Sequence, residues 1–137
     1  MIPKDRLLRL IQKLRQKTEA GEVNWIPHDD YEYGCRLSLD GLMVELLYQP
    51  TLAGPDRVRV RVRVNELDPT TGEKLAVAEL SAEDDEADEN WNLFFGLYQA
   101  ASKEAYHWDR VLGELESAVN TTGRIGLTTD HPVPATR

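Results

Sequence analysis

The chain has 137 residues, a formal net charge of −8 and 41% hydrophobic residues, which suits one domain with a modest core and excludes a wholly disordered chain. No apolar run approaches the roughly 20 residues that a bilayer span requires, and the opening MIPKDRLLRL alternates charge with leucine where a secretory leader would be continuously apolar. The lone cysteine, Cys35, excludes a disulfide within the chain and points to a reducing, cytoplasmic setting, while three histidines and one cysteine are poor material for a zinc site.

The first predicted element is an amphipathic helix over Lys4–Ala20. Leu7, Leu10, Ile11 and Leu14 recur at helical spacing, and Leu8 widens the stripe. Pro3 suits the first turn, and Gly21 supplies the left-handed conformation that ends a helix. Arg6, Arg9, Lys13 and Lys17 fall on another face, which reads as solvated. A connector follows in which Pro27 opposes helix. Trp25 is expected to plug the gap between this helix and the sheet, with its indole N–H on a carbonyl.

Tyr31–Leu39 and Leu42–Tyr48 are two strand-like runs separated by Asp40-Gly41, a favoured two-residue hairpin turn. Such a turn places opposite one another residues whose numbers sum to 81. Leu39 then meets Leu42, Leu37 meets Val44, Cys35 meets Leu46 and Tyr33 meets Tyr48, all on one face, and Arg36 meets Glu45 on the other. A slip of one residue would destroy that agreement.

After a Pro- and Gly-containing loop over Gln49–Asp56 comes RVRVRVRV. Arg57, Arg59, Arg61 and Arg63 alternate with Val58, Val60, Val62 and Val64, so the valines are assigned to the core and the arginines to the opposite face. Asp68-Pro69-Thr70-Thr71-Gly72 carries the residues of a turn closed by a left-handed glycine, and Lys74–Leu80 supplies a fourth strand. The acidic run Ser81–Asn90 precedes a helix, with Asp88 or Asn90 as its cap. Phe94, Tyr98, Ala101, Ala105, Trp108, Leu112, Leu115 and Val119 then recur at alternating spacings of four and three, a heptad seam. Asn90–Asn120 reads as one helix, about 47 Å long at 1.5 Å per residue, or as two joined near His107–Asp109. Thr121–Arg137 reads as an irregular tail.

The fold expected is therefore α+β: an N-terminal helix, a four-stranded antiparallel meander, and a long or split C-terminal helix packed on one sheet face. Residues 1–120 form the domain. Val58, Val60, Val62, Val64, Leu37, Val44 and Leu46 should meet Leu7, Leu10, Leu14 and the seam.

Four chemistries bear on these residues. Catalysis near His28-Asp29-Asp30 requires neighbours on a loop to converge on one point, which adjacent residues seldom do; Cys35, on the core face, lacks the thiolate character of a nucleophile. No nucleophile elbow, P-loop or dinucleotide fingerprint occurs, so no catalytic residue and no cofactor is assigned. The acids of residues 83–89 lack the spacing and glycine of a calcium loop, so no metal ligand is assigned. Nucleic-acid binding through the arginine strand and the basic helix is the first alternative reading, and an enzyme with an unrecognised site near His28 is the second. Charge is uneven, with 11 basic and 9 acidic side chains in residues 1–64 against 5 and 15 in residues 65–137, but no aromatic side chains interleave the arginines for base stacking. Protein–protein interaction is preferred. It uses an exposed sheet face of Met43, Leu47, Arg57, Arg59, Arg61 and Arg63, together with Tyr98 and Trp108 on the C-terminal seam, toward a protein partner or a second copy and with no membrane.

The phrase Lys17-Thr18-Glu19-Ala20-Gly21-Glu22-Val23-Asn24-Trp25, the later Leu97-Tyr98-Gln99-Ala100-Ala101 and Val111-Leu112-Gly113-Glu114-Leu115 resemble small bacterial and phage-associated proteins of uncharacterised function. The resemblance spans about residues 7–120 and implies a helix, a β-meander and a C-terminal helical segment. It implies no activity and no functional residue.

Overall fold

The computed structural model describes residues 2–51, 54–121 and 123–126. The elements run α1 (Lys4–Glu19), β1 (Ile26–Pro27), β2 (Cys35–Leu39), β3 (Leu42–Thr51), β4 (Gly54–Leu67), β5 (Lys74–Glu83), α2 (Trp91–Ala105) and α3 (Trp108–Val119). The fold is α+β, as expected, with one correction: the antiparallel sheet has five strands, in the order β1-β2-β3-β4-β5. The extra strand, Ile26–Pro27, pairs with Arg36 and Cys35 at the sheet edge, where proline costs no ladder bond if its missing N–H would face outward. The chain divides into two compact units, the first ending at His107 and the second beginning at Trp108. Among the described residues no helix is long and apolar enough to cross a membrane.

The β2–β3 hairpin follows the sum-of-81 register from Cys35–Leu46 through Leu39–Leu42. Gly41 takes φ +77, as the turn demands. Tyr33 departs from the expectation, because β2 begins only at Cys35 and residues 28–34 form a loop. That loop is closed by hydrogen bonds from the His28 N–H to the Gly34 carbonyl (3.0 Å) and from the Gly34 N–H to the Tyr31 carbonyl (3.0 Å). β3 and β4 both run further than their alternating cores, so most of the predicted 49–56 loop is strand; Leu52 and Ala53 lie outside the described residues. The Asp68 carboxylate accepts from the N–H groups of Thr70 and Thr71 in the turn, and Gly72 is left-handed (φ +74). β5 continues to Glu83, taking the first acid of the acidic run into the sheet.

The first unit buries one face of this sheet. Cys35, Leu37, Val44, Leu46, Val60 and Val62 are in the core with Phe94, Leu97, Ala101 and Ala105 of α2 and Leu7 and Ile11 of α1. Each such large aliphatic or aromatic side chain contributes about 1.5–3 kcal/mol on leaving water. Val64 and Leu14 are partly buried beside the core. Leu10, expected in the core, is 56% exposed, because the stripe that α1 turns inward is centred on Leu7 and Ile11. Trp25 is buried, and its Nε1–H donates not to a carbonyl but to the Thr18 hydroxyl (3.0 Å), which donates in turn to the Leu14 carbonyl (2.7 Å). Asn90 occupies the cap position of α2 without a side-chain bond, while just before it the Asp88 carboxylate accepts from the Asn90 N–H (2.9 Å) and the Asp88 carbonyl from the Trp91 N–H.

The heptad seam is divided between two helices. α2 stops at Ala105, and His107 sits at φ +54, a left-handed conformation that ends a helix. Of the predicted tail, residues 121 and 123–126 carry neither helix nor strand, and the others lie outside the described residues.

Candidate interaction surfaces

Alternation along β4 does send the arginines to the face opposite the valines, but the strands on either side supply them with partners. Arg61 donates to Glu79 Oε1 (2.6 Å) and Gln49 Oε1 (3.2 Å). Arg63 donates to the same Glu79 oxygen (2.9 Å) and lies 3.6 Å from Glu45. Arg57 reaches Asp85 at 3.4 Å on the exposed rim. Glu79 stands directly opposite Arg63 in the β4–β5 register; cross-strand pairs of opposite charge are the ordinary way a sheet face neutralises itself. The side chains of Arg61 and Arg63 are only 18% and 21% exposed. Arg59 has no ion-pair partner among the described residues, and its Nε is buried without a hydrogen bond.

Beside the arginines lies a buried polar hub that the sequence reading missed. Glu45 is fully buried on this same sheet face. It accepts from Asn65 Nδ2 (2.7 Å) and Lys74 Nζ (3.2 Å), and it is bonded to His28 Nε2. The Asp30 N–H donates to His28 Nδ1 at 3.0 Å, so the ring's proton sits on Nε2 and points at the carboxylate. Burial alone would raise the Glu45 carboxyl; the bonds from His28, Asn65 and Lys74 outweigh it and bring the group down to about 2. Arg36, which faces Glu45 in register, pairs instead with Asp29 at 3.4 Å.

The 28–34 loop is what covers this part of the sheet. A side chain at Gly34 would strike His28, Tyr31 and Leu47, so the bare glycine lets the loop descend onto the strand. Leu47, expected on an open face, is therefore fully buried, and Met43 is half-buried. His28, expected in a polar loop, is buried with its side chain only 3% exposed. Its dyad with Glu45 has the pairing of a general base, with the two side chains 3% and 0% exposed.

Tyr98 is partly buried against the core. It stacks on Tyr48 with ring centroids 4.9 Å apart, and burial pushes its hydroxyl up to about 12 despite a bond with Ser102. The Cys35 thiol is pushed up to about 11 by burial, against a weaker opposing bond with Ser102, and is an inert core group. Among the described residues no cluster of His, Cys, Asp or Glu is placed to hold a metal ion.

The second unit presents the opposite case. In α3, Trp108, Val111, Leu112, Leu115 and Val119 fall on one face of a 12-residue helix, none of whose residues is buried. Those five side chains are 42–59% exposed. The other positions hold the charged Asp109, Arg110, Glu114 and Glu116 with the small Gly113, Ser117 and Ala118, and Arg110 and Glu114 pair at 3.5 Å one turn apart. Of the residues singled out from sequence, Trp108 is thus the one that stands on an open apolar stripe; Arg57, Arg59, Arg61 and Arg63 share one polar face, Leu47 belongs to the interior, and Tyr98 is partly buried against the core. Comparison with known protein families, curated proteins and solved structures gives no match.

Proposed function

We propose that this chain is a non-enzymatic protein-interaction module, working in the cytoplasm, whose contact element is α3. One observation carries the reading: a helix with five large apolar side chains on a single face and none of them buried. Exposed apolar area of this kind is characteristic of contact surfaces, and an aromatic anchor such as Trp108 is the residue type that most often dominates one. The sheet face is the weaker candidate, since Arg61 and Arg63 already hold Glu79 and Glu45.

The nucleic-acid alternative retains Arg59, whose Nε is buried without a hydrogen bond and which stands opposite Glu83 in the β4–β5 register. Two glutamates lie beside its neighbours, however, and neutralised arginines release few counterions. The test is to capture proteins from native cytosol with the full chain and with Leu112→Glu/Leu115→Glu. A protein held in stoichiometric amount by the first and lost by the second supports the module. Equal capture by both, or loss of capture only with Arg59→Ala, overturns it.

A further inference from the structure

We infer that the 28–34 loop is an acid-released cover: neutral His28 latches it onto the outer face of the sheet, and a second proton on that ring lifts it. The latch uses both ring nitrogens. Nε2 is bonded to Glu45, and Nδ1 accepts the Asp30 N–H at 3.0 Å, so the closed loop holds a neutral imidazole with its proton on Nε2. A proton added at Nδ1 sets a donor against a donor. The bond within the loop is lost, and a charge is left on a buried side chain.

The surroundings oppose that charge. The carboxylate bonded to the ring already serves two cations, Lys74 Nζ of β5 at 3.2 Å and Arg63 of β4 at 3.6 Å. Arg36 of β2 is a further cation, held by Asp29 of the loop at 3.4 Å. Asp29, Asp30 and Glu32 are exposed, where water and salt screen them, and Tyr31 meets the ring edge-on with centroids 4.9 Å apart. A charged His28 is thus a third cation on one buried carboxylate. Glu45, held at about 2, stays ionised in mild acid and takes up no proton there.

The two ends of the loop are tied differently, which makes the motion a hinged lift. The Gly34 carbonyl accepts from the Tyr106 hydroxyl of α2 (2.7 Å), and the Glu32 carbonyl lies 3.3 Å from the same hydroxyl. The His28 end depends on the ring. Its release uncovers Glu45 and the cations around it, so the device governs access to the sheet face on which the arginines lie. In the open loop His28 meets water, where an imidazole charges between about pH 8 and 5. The open state then binds a proton that the closed state excludes, and closure weakens as the pH falls.

Amide protection in the full chain at about pH 7.5 and about pH 5 tests the latch, with the nitrogen NMR shifts of the His28 ring reporting its protonation. Protection of the Asp30 and Gly34 amides should fall roughly 30-fold between the two, the factor for an ordinary imidazole, half-charged near about pH 6.5, that charges only in the open loop. Amides of the β3–β4 ladder should keep theirs. His28→Asn retains an acceptor for the Asp30 N–H, and His28→Gln retains a donor to Glu45. Neither titrates, so each variant's loop should be equally protected at both pH values. A wild-type loop equally protected at both, or a doubly protonated His28 ring with the Asp30 amide still protected, would overturn the latch. An equal fall in the wild type and both variants would overturn it too, assigning the opening to the loop's carboxylates. If neither variant folds, the wild-type ring and amide readings decide alone.

Discussion

α2 and α3 carry successive halves of one heptad pattern and meet opposite fates. Phe94, Ala101 and Ala105 of α2 are buried and Tyr98 is stacked on Tyr48, whereas the equivalent Trp108, Leu112, Leu115 and Val119 of α3 are each at least 42% exposed. The difference lies in residue size and setting more than in periodicity. α2 uses alanines and Gly96 where it must approach α1 and the sheet closely; at Gly96 an added Cβ would collide with the Arg15 guanidinium. α3 has large residues throughout its stripe, and an added Cβ at Gly113 meets nothing within 4 Å. A stripe with small residues is shaped to a near neighbour, and a stripe of uniformly large ones remains to be filled.

The comparison breaks most readily at the seam itself. Phe94→Ala should cost the fold about 3–5 kcal/mol, the usual price of truncating a buried aromatic, while Leu112→Ala should leave the unfolding midpoint of the first unit within the range of a surface change, about 0.5 kcal/mol. Urea titrations followed at a sheet wavelength measure both. A Leu112→Ala loss as large as that of Phe94→Ala would show that α3 belongs to the same cooperative core.

Acid should separate the two units next. A carboxyl whose folded pKa lies below its unfolded one stabilises the fold at neutral pH and loses that contribution as the pH falls. For Glu45 the window runs from about 4.5 down to about 2, and the loss across it is about 3 kcal/mol. Glu45→Gln should lower stability at pH 7 and flatten the acid limb, because its amide no longer titrates. α3 holds no buried carboxylate, so its helicity should not follow that limb. A steep acid limb surviving in Glu45→Gln would show that another group governs it.

Much of this architecture was legible in the residues, and the failures share a physical cause. The hairpin register, the valine–arginine division and the turn at Gly72 are local patterns of one or two strands, and local geometry determines them. Glu45, Leu47 and His28 were misplaced because their burial depends on a loop descending from residues 28–34, and that descent depends on Gly34 having no side chain to meet Leu47. The outer face of β3 reads Met43, Glu45, Leu47, two apolar residues in three, which was the available sign that something covers it. Glu79 was likewise invisible as the partner of Arg61 and Arg63 until the β4–β5 register placed it opposite. The break between α2 and α3 was readable only as an alternative, since His107 gives no breaker signal in composition and adopts its left-handed backbone in context.

A smaller effect probes how α1 is held against the sheet beside α2. Thr18→Val keeps the shape but removes the acceptor of the buried Trp25 N–H. An unsatisfied buried donor costs about 1–3 kcal/mol, so denaturant titration should show a loss of that size, and Thr18→Ser should restore most of it. Equal losses in Val and Ser variants would assign the effect to packing of the methyl group.

The smallest expected effect sharpens the contrast between the helices most directly, because it uses one substitution at two glycines. In a helix interior, Gly→Ala gains about 1 kcal/mol from backbone entropy. At Gly113 nothing opposes that gain, so Gly113→Ala should slow amide exchange across α3 by roughly fivefold. At Gly96 the new methyl displaces Arg15, which gives up its 3.0 Å hydrogen bond to the Asn92 carbonyl. That exposed bond is worth about 0.5–1.5 kcal/mol, so the two terms nearly cancel and Gly96→Ala should leave stability within about 0.5 kcal/mol of the wild type. A gain at Gly96 equal to that at Gly113 would mean that the arginine contact contributes nothing and that α2 is held by its apolar face alone; a loss of several kcal/mol would mean that the close approach of α1 and α2 tolerates no added atom.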